Sequence, residues 1–216
     1  MKPRKFSLIK VVVFSLFFTM TMNSCSQDIL LLENDKVVRK VFNSEEIKEL
    51  KNLLNIYDNT LKENFETENT IIAYHKFLET LKYKDANDIY NELNILQPAT
   101  DSAMTYLMNG KTYEKSFKIN YGYRKNSNFK DTLSSMFYPL ENGKYFGFLK
   151  ELVKKEKILV DYLNAIEASG TIPPSTLIAF SFIYENFNLE KERNRLAIVF
   201  HYLVLLSHKD YKTNKA

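Results

Sequence analysis

Between Asn43 and Phe65 the apolar residues Ile47, Leu50, Leu54, Tyr57, Leu61 and Phe65 recur at spacings of three and four. That is the period of one face of an α-helix. Asn43 can accept hydrogen bonds from the backbone of the first turn, and Glu46, three residues on, completes a capping box. A helix with a single apolar stripe has to bury it against other elements. The chain supplies them. A second helix is predicted over Glu68 to Leu81, with Ile71, Tyr74, Leu78 and Leu81 in one row. A third runs from Asp85 to Leu96 and is stopped by Pro98, whose ring cannot continue a helix. A short fourth covers Thr100 to Asn109 and ends at Gly110, placed in the left-handed conformation that glycine tolerates.

Five glycines and five prolines among 216 residues leave few tight turns for an all-β fold. The lone cysteine, Cys25, excludes a disulfide within the chain, so stability has to come from apolar burial. The last third is richest in it. Pro173-Pro174 opens a helix over Leu177 to Phe187 that is apolar almost all round until Glu185, and Leu196 to Leu206 repeats the pattern. Helices apolar on every side are buried in a domain or in a membrane, and these are too short to span a bilayer. They predict a central hairpin around which the amphipathic helices pack. A long helix is predicted over Tyr145 to Ser169, with Leu149, Leu152, Leu159, Leu163 and Ile166 inward and Gly170 at its end. Phe129 to Phe137 reads as a short helix before Pro139, and Glu141-Asn142-Gly143 as a turn. Over residues 111–128 the pattern is ambiguous. Phe117, Ile119, Tyr121 and Tyr123 alternate as in a strand, while Tyr113, Phe117 and Tyr121 fit a helix equally well. The expected fold class is all-α: one helical bundle over residues 43–212 with a buried C-terminal helix hairpin. The chain turns polar from His208, and residues 213–216 form a polar tail.

The N-terminus has a different character. Lys2, Arg4, Lys5 and Lys10 carry positive charge with no acid among them, and the uncharged run Val11 to Met22 follows. These are the n- and h-regions of a secretory signal, the second too short to cross a bilayer as a stable helix. Met22-Asn23-Ser24-Cys25 then resembles the lipobox of bacterial lipoproteins, with Met22 where leucine is usual and Asn23 where alanine or serine is usual. The resemblance implies that residues 1–24 are removed and that Cys25 carries fatty acyl chains such as palmitate. Two or three such chains make attachment effectively permanent. Residues 26–42 read as a tether, whose apolar runs Ile29 to Leu32 and Val37 to Phe42 either dock on the domain or lie on the membrane. The format of lipidated cysteine, tether and Lys/Asn-rich helical domain resembles spirochaetal surface lipoproteins, which often bind host proteins. The resemblance covers residues 1–25 alone, and no functional residue of the domain follows from it.

All 26 acidic residues lie beyond Cys25, whereas four of the 30 basic ones lie in the signal, which leaves 26 of each sign in the rest. That balance removes the basic footprint expected of a nucleic-acid binder. No metal or cofactor is expected. His201 sits in an apolar run seven residues before His208 and reads as a buried histidine satisfied by a hydrogen bond. His75 and Glu79 form an i, i+4 pair without a third ligand. Glu45-Glu46-Glu49 and Glu190-x-Glu192 read as solvated helix starts. Ala86, Tyr90 and Pro98 stand at the spacing of a tetratricopeptide-repeat helix, but no second copy lies 34 residues away on either side. The hydrolase, metalloprotease and phosphate-loop motifs are absent, so no enzyme is expected.

The candidate binding segment is compositional. Eleven of the 43 residues from Tyr106 to Phe148 are Phe or Tyr, about a quarter, against 14% for the chain. Within it, Asn120 to Asn128 is too polar for complete burial and carries Tyr121, Tyr123 and Arg124. Aromatics beside arginine are typical of protein-recognition hot spots, although tyrosines covering a core below a loop produce the same pattern. The expectation is a lipoprotein of the outer membrane or cell surface that binds another macromolecule. A periplasm-facing structural or assembly factor is the alternative.

Overall fold

The computed structural model describes residues 31–211 apart from 85, 126–130, 174–175 and 208, with the backbone alone at 86–87, 122–125, 131–134 and 209–211. Cys25, the 24 residues expected to form a signal and residues 213–216 lie outside the described residues. The fold is all-α in class, with one small sheet. Helices α1 (Lys36–Val41), α2 (Ser44–Asn64), α3 (Thr70–Lys82), α4 (Ala86–Leu93) and α5 (Gln97–Met108) form the first half. One helical turn, α6 (Tyr113–Ser116), leads into strands β1 (Phe117–Lys125) and β2 (Asp131–Pro139). Helices α7 (Lys144–Leu152), α8 (Val160–Ser169), α9 (Ala179–Ile183) and α10 (Glu192–Leu206) follow, and β3 (Lys209–Tyr211) closes the sheet.

Helix α2 has its capping box: Asn43 Oδ1 accepts from the N–H of Glu45 and Glu46, and Glu46 Oε2 accepts from the N–H of Asn43 at 2.8 Å. Its apolar face packs on α3, α5 and α10. Helix α10 is the centre, with every residue from Asn194 to Val204 buried. Its contacts with α2, α5 and β2 account for a sequence that is apolar all round. The first arm of the C-terminal pair is shorter than the predicted Leu177–Phe187. Helix α9 has five residues and lies on α3; Phe180 reaches the His201 ring of α10 at 5.2 Å, while Phe182 is exposed.

Several local expectations are corrected. The stretch from residue 32 to residue 42 docks on the domain: Leu32, Val38 and Phe42 are buried in the core, and Asp35 caps α1 by accepting from the N–H of Val37 and Val38. The domain therefore includes Leu32 to Phe42, ahead of the expected start at Asn43. Of the ambiguous residues 111–128, those described as far as Lys125 use both periodicities in turn, a single helical turn and then a strand. Of the helix predicted over Phe129 to Phe137, Phe129 and Lys130 lie outside the described residues and the rest is strand. Asp131–Pro139 pairs with β1 in nine-residue antiparallel register, from Phe117 opposite Pro139 to Lys125 opposite Asp131. Ser135, Phe137 and Pro139 are buried while Met136 and Tyr138 are only partly so, the period of two that a one-sided strand requires. The stretch from His208 is not wholly a tail, because Lys209–Tyr211 pairs with Leu133–Ser135.

The long helix predicted from Tyr145 to Ser169 is broken after Leu152 and resumes at Val160. Between Leu152 and Leu159 the residues Lys154, Lys155, Glu156 and Lys157 interrupt the apolar stripe, so a continuous helix would gain no burial there. Gly170 ends α8 in the left-handed region, φ 70°. Gly110 is not left-handed. A Cβ there would sit 2.7 Å from Glu49 Oε2, so the close approach of that carboxylate is what requires glycine. Pro98 both stops the preceding turn and opens α5 in its first turn, where a missing N–H costs nothing.

Candidate functional site

Tyr121 lies on β1, opposite Ser135, and is 65% exposed. It terminates a row that starts in the core. Phe117 touches Phe200 of α10 at 5.7 Å and Phe137 at 5.9 Å, and Phe137 touches Tyr113 at 5.2 Å. The Tyr113 hydroxyl is pushed up by burial and, secondarily, by the neighbouring Tyr121. Phe117 and Phe137 are buried, Ile119 half-buried and Tyr121 open, so one strand face passes from core to solvent along its length. Tyr123 and Arg124 occupy the next register positions, opposite Leu133 and Thr132; their side chains lie outside the described residues. The sheet order β1-β2-β3 leaves β1 at an edge, and among the described residues no strand pairs with its outer side. Lys118, exposed on β1, borders a hollow of about 480 Å³ together with Tyr138, Phe146 and Lys150.

Glu45 and Glu190 are exposed, as the solvated reading expects, but Glu46 and Glu192 are buried and Glu49 is half-buried. Glu46 is fully buried, and its carboxylate receives Lys115 at 2.8 Å, Lys144 at 2.5 Å and the Asn43 N–H. Burial pushes its pKa up, but these three donors outweigh it and hold the carboxyl below its usual range. Glu49 accepts from the N–H of Lys111 and Thr112 and from the Thr112 hydroxyl at 2.6 Å. The first turns of α2 thus clamp the segment that launches β1. Glu192 is buried as well, accepting from the Leu32 N–H at 3.0 Å and pairing with Lys51. Beside it Arg195 spans Asp58, with Nη2 3.2 Å from Oδ2, and donates to the Leu189 carbonyl at 2.7 Å. Arg193 joins Asp35 at 2.7 Å to Glu156 at 2.8 Å, and Lys191 shares Glu156. Spacing could not distinguish these carboxylates from exposed ones, because their cations come from distant segments.

His201 is buried in a shell of Tyr162, Phe180 and Tyr202. Its Nε2 faces the Leu177 carbonyl at 3.4 Å, which makes that nitrogen the donor, so Nδ1 accepts from the Tyr162 hydroxyl at 2.9 Å. Tyr162 in turn accepts from Tyr145 at 3.3 Å. Burial lowers the His201 pKa to about 3, so the ring is neutral at physiological pH. His208 lies outside the described residues. His75 packs edge-on against Tyr184 at 5.2 Å. Among the described residues no group of three or more His, Cys, Asp or Glu is placed to hold a metal ion.

A shallow groove of about 710 Å³ between α2 and α5 is lined by Glu49, Asp101, Ser102, Thr105, Tyr106 and Asn109. Its lining residues are polar in type, and the groove is too open to enclose a small molecule. The exposed end of the β1 row is the arrangement best suited to contact another macromolecule, because an aromatic held by a rigid core loses little entropy on binding. Comparison with family models, with curated proteins and with solved structures finds no match to this chain.

Proposed function

We propose that the chain is a lipoprotein anchored through Cys25 in the outer membrane or at the cell surface, and that its helical domain binds a protein partner through the β1 edge. The exposed Tyr121 on an open edge strand is the observation that carries the reading. Such an edge offers unpaired backbone groups to an extended segment, and the aromatic supplies a rigid anchor. The strand holds Lys118, Arg124 and Lys125 and no acidic residue, which suits an acidic or polar partner segment. Binding fits this domain better than catalysis, since Glu46, Glu49, Asp58, Glu156 and Glu192 are all committed to cations or backbone N–H groups.

The anchor is tested by palmitate labelling: Cys25→Ala should abolish incorporation and release the protein or leave an uncleaved precursor. Unchanged labelling refutes the lipoprotein reading. Protease treatment of intact cells separates surface display, where the domain is shaved away, from a periplasm-facing scaffold, where it is protected.

A further inference from the structure

We infer that the domain rests on the membrane carrying its anchor, through a basic face formed by α1 and the turn that follows α7, with anionic phospholipid headgroups as the occupant. The inference rests on the lipoprotein reading of Cys25 for its placement. Its other support is independent of it.

The packing of α1 against the 151–156 segment is held at both ends. Lys40, at the C-terminal end of α1, meets Glu151 at 2.8 Å, and Lys154 shares that carboxylate at 2.6 Å. Asp35, at the N-terminal end, reaches Glu156 through Arg193. Between them α7 lies close enough to α1 that a Cβ on Gly147 would stand 3.5 Å from Val41 Cγ1. The inward residues Val37 and Val38 are buried, which leaves Lys36, Arg39 and Lys40 exposed on the other side of the helix. Lys154, Lys155 and Lys157 are exposed on the adjoining turn. Glu151 and Glu156 are already paired, and the exposed acids nearby in the chain are Glu33 and Asp161. Positive charge therefore predominates on this face, although the chain beyond Cys25 is balanced overall.

Two further features select a membrane. Ile158 and Val160 are each 38% exposed beside these lysines, the mix of apolar and basic groups that suits a headgroup boundary. The length of chain available is also short. Leu32 is buried, with its N–H bound to Glu192, so the chain is fixed to the domain at that point. Six peptide steps separate Cys25 from Leu31, a reach of at most about 20 Å at roughly 3.3–3.6 Å per residue. A domain leashed that closely meets the bilayer at high effective concentration. The face beside the leash is the one that meets it.

The test uses the chain from Ser26 to Ala216, which retains every core residue found among the described residues, the first of them Leu32. Co-sedimentation with phosphatidylcholine vesicles containing phosphatidylglycerol should exceed that with pure phosphatidylcholine and should fall at high salt. Charge reversal at Lys154, Lys155 and Lys157 together (K154E, K155E, K157E) should weaken it by about tenfold or more, with the melting temperature unchanged. A single reversal of Lys76 on α3, outside this face, should have no such effect. Equal binding by the triple variant, or no preference for phosphatidylglycerol, overturns the inference. So does loss of an envelope protein from the triple variant when wild type ignores both vesicles, which reassigns the face to a protein partner. Because these chains carry no lipid, a failure here is separable from a failure of palmitate labelling at Cys25.

Discussion

Helix α10 and the β1–β2 hairpin both concentrate aromatic and charged residues and use them in opposite ways. In α10 the ring of Phe200 is buried among Phe117, Tyr145 and Phe148, and the guanidinium of Arg195 is enclosed with Asp58. In the hairpin the same residue types run outward, and Tyr121 ends in solvent. A buried charge is tolerated only with its partner in place, whereas an exposed aromatic adds little to folding and is free to bind. The contrast separates residues that hold the fold from residues available for contact. Each can be tested by substitution.

The largest effect is expected at Arg195. Arg195→Ala leaves Asp58 buried without its cation, and a loss of about 3–5 kcal/mol should be visible in urea unfolding. Replacing Asp58 and Arg195 together with apolar residues should recover much of it; if the double variant is as unstable as the single, the pair is not the source.

Glu46→Gln should cost less, about 1–3 kcal/mol, because the amide keeps one acceptor but loses the charge that Lys115 and Lys144 face. The pH dependence has a definite sign. The folded carboxyl is held below its ordinary value of 4.5, so it binds a proton less readily than the unfolded one. Its contribution is complete above that value and is lost as pH falls through the lower folded pKa. Asp58, pushed upward by burial despite Arg195, acts with the opposite sign, so the comparison should be made between wild type and Glu46→Gln across the acid limb. Identical acid limbs would show that Glu46 is not the group concerned.

For His201 the expectation is an absence of titration between pH 5 and 8 by NMR, since burial keeps the ring neutral down to about 3. A midpoint near 6.5 would place the ring in solvent and undo the Tyr145–Tyr162–His201 chain.

The smallest effect on stability belongs to the hairpin. If the three form a recognition patch, replacing Tyr121, Tyr123 and Arg124 together with alanine should shift folding by roughly 0.5 kcal/mol or less. Capture of partner from envelope or serum extracts should nevertheless be lost. A much lower melting temperature would make the three residues part of the core, and unchanged capture would move the binding site elsewhere.

Much of the helical half was legible because its signals are local. Asn43 and Glu46 cap α2 with groups three residues apart, and the α2 stripe is carried by neighbours at three and four. Tyr121 was legible as an aromatic in a polar stretch. The strand Asp131–Pro139 was not, since the pairing with β1 that defines it leaves no mark on its own spacing and its residues space acceptably as a helix. The break after Leu152 also depends on distance, because Glu156 answers Lys191 and Arg193 rather than its helical neighbours.

The sequence by itself determined the helical class, the capped α2 and the buried character of α10. Each rests on short-range periodicity or on a local motif, where the interacting groups are one or two turns apart. Only the tertiary structure decided which carboxylates are buried, that the stretch from Leu32 to Phe42 belongs to the domain, and that β1 presents an edge carrying an exposed Tyr121. Those outcomes depend on pairs separated by tens of residues, such as Glu46 with Lys115 and Leu32 with Glu192, whose meeting is set by packing rather than by spacing.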